Sequence, residues 1–119
     1  VSPWTVGQLE EVLLSDVNSC ALAADENQLV GFLVWQETDF EAEVLQIAVL
    51  PSYQGQKIAT ALFDFLPADK EIFLEVRESN KPALLFYKKE KFEAIARRKA
   101  YYHAPVEDAI VMKREIHER

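Results

Sequence analysis

Two hydrophobic periods divide the chain. Leu45, Ile47 and Val49 alternate with Gln46, Ala48 and Leu50 in an apolar run of strand length. Pro51-Ser52 closes the run, because proline cannot continue a ladder. Ile58, Ala61, Leu62, Phe65 and Leu66 then recur at helical spacing and predict a helix ending at Pro67. Upstream, Ser2-Pro3-Trp4-Thr5 reads as a helix entry with a hydroxyl cap. Leu9, Val12 and Leu13 give that helix one apolar face, and Asp16 to Ser19 ends it. Ala21 to Ala24 and Leu29 to Trp35 predict two strands joined as a hairpin through Asp25-Glu26-Asn27-Gln28. Gln36 to Ala42 reads as a polar connection. Downstream, Glu71 to Arg77 predicts a strand with Ile72, Leu74 and Val76 on one face and Phe73, Glu75 and Arg77 on the other. Ser79-Asn80-Lys81-Pro82 carries caps and a first-turn proline, opening a helix from about Ala83 to Lys89. Ala94 to Tyr101 and Ala109 to Lys113 read as a last pair of strands around a polar loop.

This order predicts a mixed α/β (α+β) single domain over residues 1–119, built on one sheet flanked by helices. The two strand–helix–strand crossovers predict parallel neighbours, and the hairpins antiparallel ones. Half of the residues are apolar, which excludes a disordered chain, and no apolar run reaches the length of a membrane span. No signal peptide opens the chain, and the absence of an initiator Met points to a processed or trimmed fragment. The net charge of −7 argues against nucleic acid and is compatible with basic partners such as amines, or simply with solubility. Cys20 is the one cysteine, in an apolar segment, so a buried structural thiol in a reducing, cytoplasmic compartment is expected. His103 and His117 have no partners at metal-ligand spacing, so no metal site is read. No Gly-x-Ser-x-Gly or other nucleophile motif appears, which favours direct transfer chemistry over a covalent enzyme intermediate.

Between the Leu45 strand and the Ile58 helix lies the short polar link Tyr53-Gln54-Gly55-Gln56-Lys57. Such a link aims the helix's first N–H groups, which lack intrahelical partners, at one point, a geometry suited to a phosphate or pyrophosphate. Ile47-Ala48-Val49, Pro51, Tyr53-Gln54-Gly55 and Ile58-Ala59 resemble the acetyl-CoA signature of the GNAT superfamily of N-acetyltransferases, Gln/Arg-x-x-Gly-x-Gly/Ala, standing here as Gln54-Gly55-Gln56-Lys57-Ile58-Ala59. Leu74 to Asn80, Phe86-Tyr87, Arg97-Arg98, Tyr101-Tyr102, Glu107-Asp108-Ala109 and Ser2-Pro3-Trp4-Thr5 together resemble the bacterial ribosomal-protein-alanine N-acetyltransferases.

That resemblance implies a GNAT-type fold with a single mixed, mostly antiparallel, twisted sheet. It also implies acetyl-CoA as co-substrate and a protein or peptide N-terminus, ribosomal in the family, as acceptor. It gives Glu75 the role of general base and Tyr87 that of general acid toward the departing thiolate. Gly55, Gln56, Lys57, Ile58, Ala59 and Thr60 would hold the pyrophosphate. Ile47, Ala48 and Val49 would pair with the pantetheine amides through their main chain while their side chains stay in the core. Asn80 would touch the cofactor, and Tyr101, Tyr102, Glu107 and Asp108, flanking the last loop, would shape the acceptor groove and hold a cationic N-terminus. Read without the resemblance, Glu75 is a solvated strand residue and Tyr87 a core aromatic, while Asn80 serves as well as a helix cap. A monomer or homodimer is expected. A small-amine acetyltransferase acting on a polyamine or antibiotic, and a non-catalytic acyl-CoA-binding module, are the alternatives.

Four departures from the family pattern stand out. Lys57 occupies a glycine position, where a helical φ is expected to make lysine harmless and leave its ammonium for a phosphate. Lys91 occupies the glycine that commonly ends the helix from Ala83 to Lys89 in a left-handed cap, and a lysine there is expected to make that ending less favourable or to shift it. The helix at Ile58 is short, and a strand and helix that normally precede Ser2-Pro3-Trp4-Thr5 are missing, which predicts a more open groove or one covered by a partner subunit.

Overall fold

The computed structural model describes residues 18–116, so the helix expected from Ser2 onward and His117 lie outside the described residues. Six strands order as β1-β2-β3-β4-β6-β5 in one sheet. They are β1 (Asn18–Asp25), β2 (Gln28–Glu37), β3 (Glu41–Val49), β4 (Glu71–Arg77), β5 (Glu93–His103) and β6 (Val106–Arg114). Two helices accompany them, α1 (Ile58–Phe63) and α2 (Lys81–Lys89). The chain divides into two compact units: the residues up to Asp39 with Val44–Leu66, and Phe40–Glu43 with the residues from Pro67 onward. No helix among the described residues is long and apolar enough to cross a membrane.

In the first unit, β1 and β2 form the expected antiparallel hairpin, closed by Asp25↔Gln28 around a two-residue turn. Glu26 takes the left-handed conformation that such a tight turn requires (φ 56). β2 is buried continuously from Val30 to Trp35, as a strand covered on both faces must be. The register shifts at Ala23/Ala24, and the Val30 carbonyl beside that shift accepts the Leu50 N–H at 2.8 Å, tying down the end of β3. β1 is an edge strand on which only Ala21 is buried. Cys20 is therefore exposed rather than a core thiol, because alternate residues of an edge strand face outward.

α1 is six residues long and buries Leu62 and Phe63, with Leu66 buried just beyond it. Burial of this kind contributes about 1.5–3 kcal/mol for each side chain. The expected stripe is rotated: Phe65 is 66% exposed and Ala61 is also outside, whereas Phe63 is inside. The helix stops at Phe63, and the Phe65 and Leu66 amides bond to Leu62 and Phe63 at 3.1 Å, a three-residue step that turns Phe65 away from the buried side. Gly31 lets this packing close. A Cβ there would stand 3.1 Å from the Ala48 carbonyl oxygen and 3.3 Å from Ile58 Cγ2.

In the second unit, Glu41, Ala42 and Glu43 of β3 pair in parallel with Glu71, Ile72 and Phe73 of β4, the pairing that the first crossover predicts. Much of the supposed polar connection at Gln36 to Ala42 is thus strand: Ala42 is a core residue, and only 38–40 link β2 to β3. The second crossover does not make neighbours of β4 and β5. β6 inserts between them, antiparallel to both. The last hairpin is also longer than its apolar pattern, because β5 is exposed over nearly its whole length and its pairing owes nothing to hydrophobic alternation.

α2 starts two residues earlier than expected, with Asn80 Oδ1 accepting the Ala83 N–H at 3.3 Å as its cap. It ends in a Schellman arrangement: Phe92 N–H to the Tyr87 carbonyl at 2.9 Å and Lys91 N–H to Lys88 at 3.1 Å. Lys91 holds the left-handed position (φ 75), so the lysine neither abolishes nor shifts the cap. Phe92, 1% exposed, packs edge-on against Tyr87 with ring centroids 6.1 Å apart, and the Arg114 guanidinium lies 5.4 Å from the centre of its ring. Ile72, Leu74, Val76 and Met112 complete this core, while Ala109, also buried, pairs with Arg77 on the other face of the sheet.

Candidate active site

The first unit carries the segment expected to hold the phosphates. After β3 the chain makes one 3-10 turn, Pro51–Tyr53, and is tied down from three sides. The Tyr53 hydroxyl donates to Asp25 Oδ2 at 2.7 Å, Gln54 Nε2 to the Val49 carbonyl at 3.0 Å and Gln56 Nε2 to the Ser52 carbonyl at 3.5 Å. The bond to the Asp25 carboxylate pushes the Tyr53 phenol up. Gly55 then takes φ 83, with open space where a side chain would begin. Lys57 has φ 63 and ψ 22 and caps α1 from the left-handed region. The helical φ expected for Lys57 is therefore corrected. The glycine-like conformation is kept with a lysine in it, at a cost of about 1–2 kcal/mol. A left-handed residue followed by right-handed Ile58 and Ala59 turns successive N–H groups toward one point, the concavity that binds anions elsewhere. The Gly55 to Thr60 segment therefore fits a pyrophosphate. Ile47, Ala48 and Val49 are only half-buried, so their side chains are not the core residues expected, and the Val49 carbonyl already accepts from Gln54.

The second unit carries the carboxylate and the phenol. Glu75 stands on the face of β4 opposite Ile72, Leu74 and Val76, as the alternation predicts. It is not simply solvated: Arg98 Nη1 donates to both of its oxygens, at 3.1 and 3.3 Å. Tyr87, on α2, is buried between Phe86 and Phe92. Burial pushes its phenol up, and the neighbouring Tyr102 adds to the shift. Tyr102 is itself raised, first by burial and then by the Glu75 carboxylate, with Arg77 working in the opposite direction. Tyr102 thus feels Glu75 and is felt by Tyr87, and it joins the two in one electrostatic cluster. Arg77 fixes it there, its guanidinium 4.3 Å above the Tyr102 ring.

Glu107 and Asp108 do other work. Tyr102 pairs with Glu107 across the β5–β6 ladder, so the expected polar loop is strand as far as His103 and Val106. Glu107 accepts from the Ser79 N–H and from Arg77 Nη1 at 3.2 Å, and these bonds, Ser79 first, pull its carboxyl down. Asp108 accepts the N–H of Ala100, which sits in a bulge at φ 50, at 2.9 Å and Arg97 Nη1 at 3.0 Å. The Ala100 N–H, then Arg97, holds its carboxyl low. Both carboxylates are engaged within the unit and brace the hairpin. Asn80 spends its side-chain oxygen on the α2 cap. Tyr101 is 39% exposed beside Tyr102 and under Arg98.

Sequence reasoning gave no role in the site to Arg77, Arg98 or Gly31, and placed Asp25 only in a turn. Arg97-Arg98 stood in a matched block, but only the strand register sets Arg98 against Glu75. A cavity of about 310 Å³ lined by Lys91, Glu93, Ile95, Lys113 and Glu115 contains none of the expected residues. No group of His, Cys, Asp and Glu suited to a metal ion occurs among the described residues.

Residues 16–94 match the family described as Acetyltransferase (GNAT) domain. The chain is 35% identical over 119 residues to the ribosomal protein bS18-alanine N-acetyltransferase of Haemophilus influenzae, a match covering 92% of this chain and 80% of that protein. It is 34% identical over 122 residues to an uncharacterized protein of Mycobacterium leprae, covering 96% of this chain but only 34% of the relative, about a third of its length. Among solved structures, the ribosomal-protein-S18-alanine N-acetyltransferase of Escherichia coli superposes with a TM-score of 0.81 at 27% identity, over 100% of this chain and 81% of that one.

Proposed function

This chain belongs to the GNAT acetyltransferase family, and from that premise we propose that it transfers the acetyl group of acetyl-CoA to the N-terminal amine of a protein, a ribosomal one by its relatives' names. Acetyl-CoA supplies the thioester: the amine adds to its carbonyl, forming the C–N bond, and the C–S bond breaks when that tetrahedral adduct collapses to the amide and the CoA thiolate. Everything else falls to the residues of the chain. An ammonium cannot attack, and an α-amine has a pKa of about 7.7–8, so a nearby carboxylate has only a modest proton transfer to assist. Glu75 takes that proton, directly or through a water, a role worth about 10²–10⁴-fold. Tyr87 gives its proton to the departing thiolate. With an ordinary pKa of about 10 the phenol is protonated at neutral pH, as a general acid must be, and burial raises it further. The amides of Gly55 to Thr60 hold the diphosphate, helped by the Lys57 ammonium. The main chain of Ile47, Ala48 and Val49 offers an edge to the pantetheine amides. Tyr101 and Tyr102 shape the acceptor end, and Asn80 contributes to the cofactor chiefly by starting the helix that carries Tyr87.

The observation that carries this reading is the cluster in the second unit. Glu75 on β4 is largely sheltered and held by Arg98, Tyr87 on α2 is buried, and Tyr102 on β5 lies within electrostatic reach of both. The left-handed Lys57 supports it, because the loop keeps its glycine geometry despite the substitution. The test is release of CoA thiol from acetyl-CoA with an Ala-starting peptide, a lysine peptide or spermidine as acceptor. The peptide α-amine is expected to be the best acceptor, with Glu75→Gln and Tyr87→Phe each slowing release by about 10²-fold or more while acetyl-CoA still binds. Spermidine as the best acceptor would transfer the reading to small amines. Acetyl-CoA binding without release to any amine would leave a non-catalytic binding module.

A further inference from the structure

Paired residues of neighbouring strands point to the same face of a sheet. Arg98 of β5 and Arg77 of β4 both stand opposite Ala109 of β6, and Glu75 of β4 stands opposite Val111, two residues along. All of these side chains therefore share one face, and Arg98 reaches diagonally across β6 to Glu75. Its Nη1 meets both carboxylate oxygens, at 3.1 and 3.3 Å, while its guanidinium rests 4.3 Å above the Tyr101 ring. The pair is lopsided: the Arg98 side chain is 56% exposed and that of Glu75 only 19%.

We infer that Arg98 is a positioning residue that acts through Glu75, a tethered cation occupying the carboxylate until the acceptor's ammonium takes its place. The inference deepens the proposed function and rests on Glu75 being the base. A base must come within about 2.6–3.2 Å of the nitrogen whose proton it takes. Arg98 Nη1 stands at that distance, so guanidinium and ammonium compete for the same two oxygens. Displaced, Arg98 keeps water on its exposed side and the face of Tyr101 beneath it, so it has somewhere to go. The consequence is a raised acceptor concentration for half-saturation, with little effect once the acceptor is bound.

The experiment measures CoA release against the concentration of an Ala-starting peptide for the wild type, Arg98→Gln, Arg98→Lys and Lys99→Gln. Alongside it, the same peptide is titrated calorimetrically into each protein in the presence of CoA. Breaking an exposed pair of this kind corresponds to about a two- to five-fold change in affinity. Arg98→Gln is expected to lower the peptide KM and Kd by that factor with kcat held within about twofold, and Arg98→Lys to stay near the wild type. Lys99→Gln removes the same charge from the adjacent residue and should change neither constant. An unchanged or higher KM and Kd in Arg98→Gln overturns the inference, as does an equal fall in Lys99→Gln. If the wild type releases no CoA with any acceptor, the proposed function fails, and the titration still decides whether Arg98 competes for the peptide.

Discussion

Lys91→Gly should stabilise the protein, although it removes a whole side chain. Lys91 occupies the left-handed position of the cap that ends α2, at φ 75. A residue with a Cβ loses about 1–2 kcal/mol in that conformation. The cap persists because the residues around it determine it: Phe92 is buried against Tyr87, and the Phe92 and Lys91 amides bond back to Tyr87 and Lys88. Glycine removes the local cost but frees the unfolded chain by about 0.4–1 kcal/mol, leaving a net gain of about 1 kcal/mol. An unfolding entropy of about 2.1 cal/mol/K per residue gives roughly 0.25 kcal/mol/K for a chain of this length, so Tm should rise by about 4 °C. Thermal unfolding by circular dichroism, with urea unfolding at constant m-value, measures it. Lys91→Ala keeps the Cβ and should give none of the gain. If Lys91→Gly left Tm unchanged or lower, or Lys91→Ala matched it, the backbone would not be holding the strain described.

Lys57→Gly should likewise raise Tm by about 4 °C, and Lys57→Ala should not. Both remove the ammonium, so both should weaken acetyl-CoA binding and flatten its salt dependence, and identical titrations in all three proteins would show that the lysine plays no part. Gly31→Ala should cost about 1–3 kcal/mol by pressing a methyl group on the Ala48 carbonyl and Ile58, and should also lower acetyl-CoA affinity; unchanged urea unfolding would refute the close approach. Asp108 is held below its ordinary range when folded, so its contribution is present above its unfolded pKa of about 3.9 and is lost as pH falls through the folded value. Asp108→Asn should therefore lower Tm at pH 7, with the gap to wild type closing below about pH 4. A gap independent of pH would mean that the charge of Asp108 is not what stabilises the hairpin.

Local pattern carried a good part of the architecture. The β1–β2 hairpin followed from turn residues between apolar runs, the face of β4 from its alternation, and α2 from Asn80 and Pro82, because each depends on residues a few positions apart. Resemblance in the Gln54–Ala59 and Leu74–Asn80 blocks added the family. Cys20, Phe65 and the ends of β5 and β6 came out differently, since whether a side chain is covered depends on which element lies over it.

What the sequence determined by itself, then, is the kind of element at each stretch, the family and the residue types its chemistry needs. Only the tertiary structure decided that β6 lies between β4 and β5, that Glu107 and Asp108 brace the hairpin, that Lys57 and Lys91 hold glycine conformations, and that Arg98 sits on Glu75. The reason is physical. Propensity and periodicity act over one or two turns of chain. Strand order, a left-handed φ on a lysine and an ion pair spanning 23 residues are set by partners distant in sequence, whose packing outweighs the local preference.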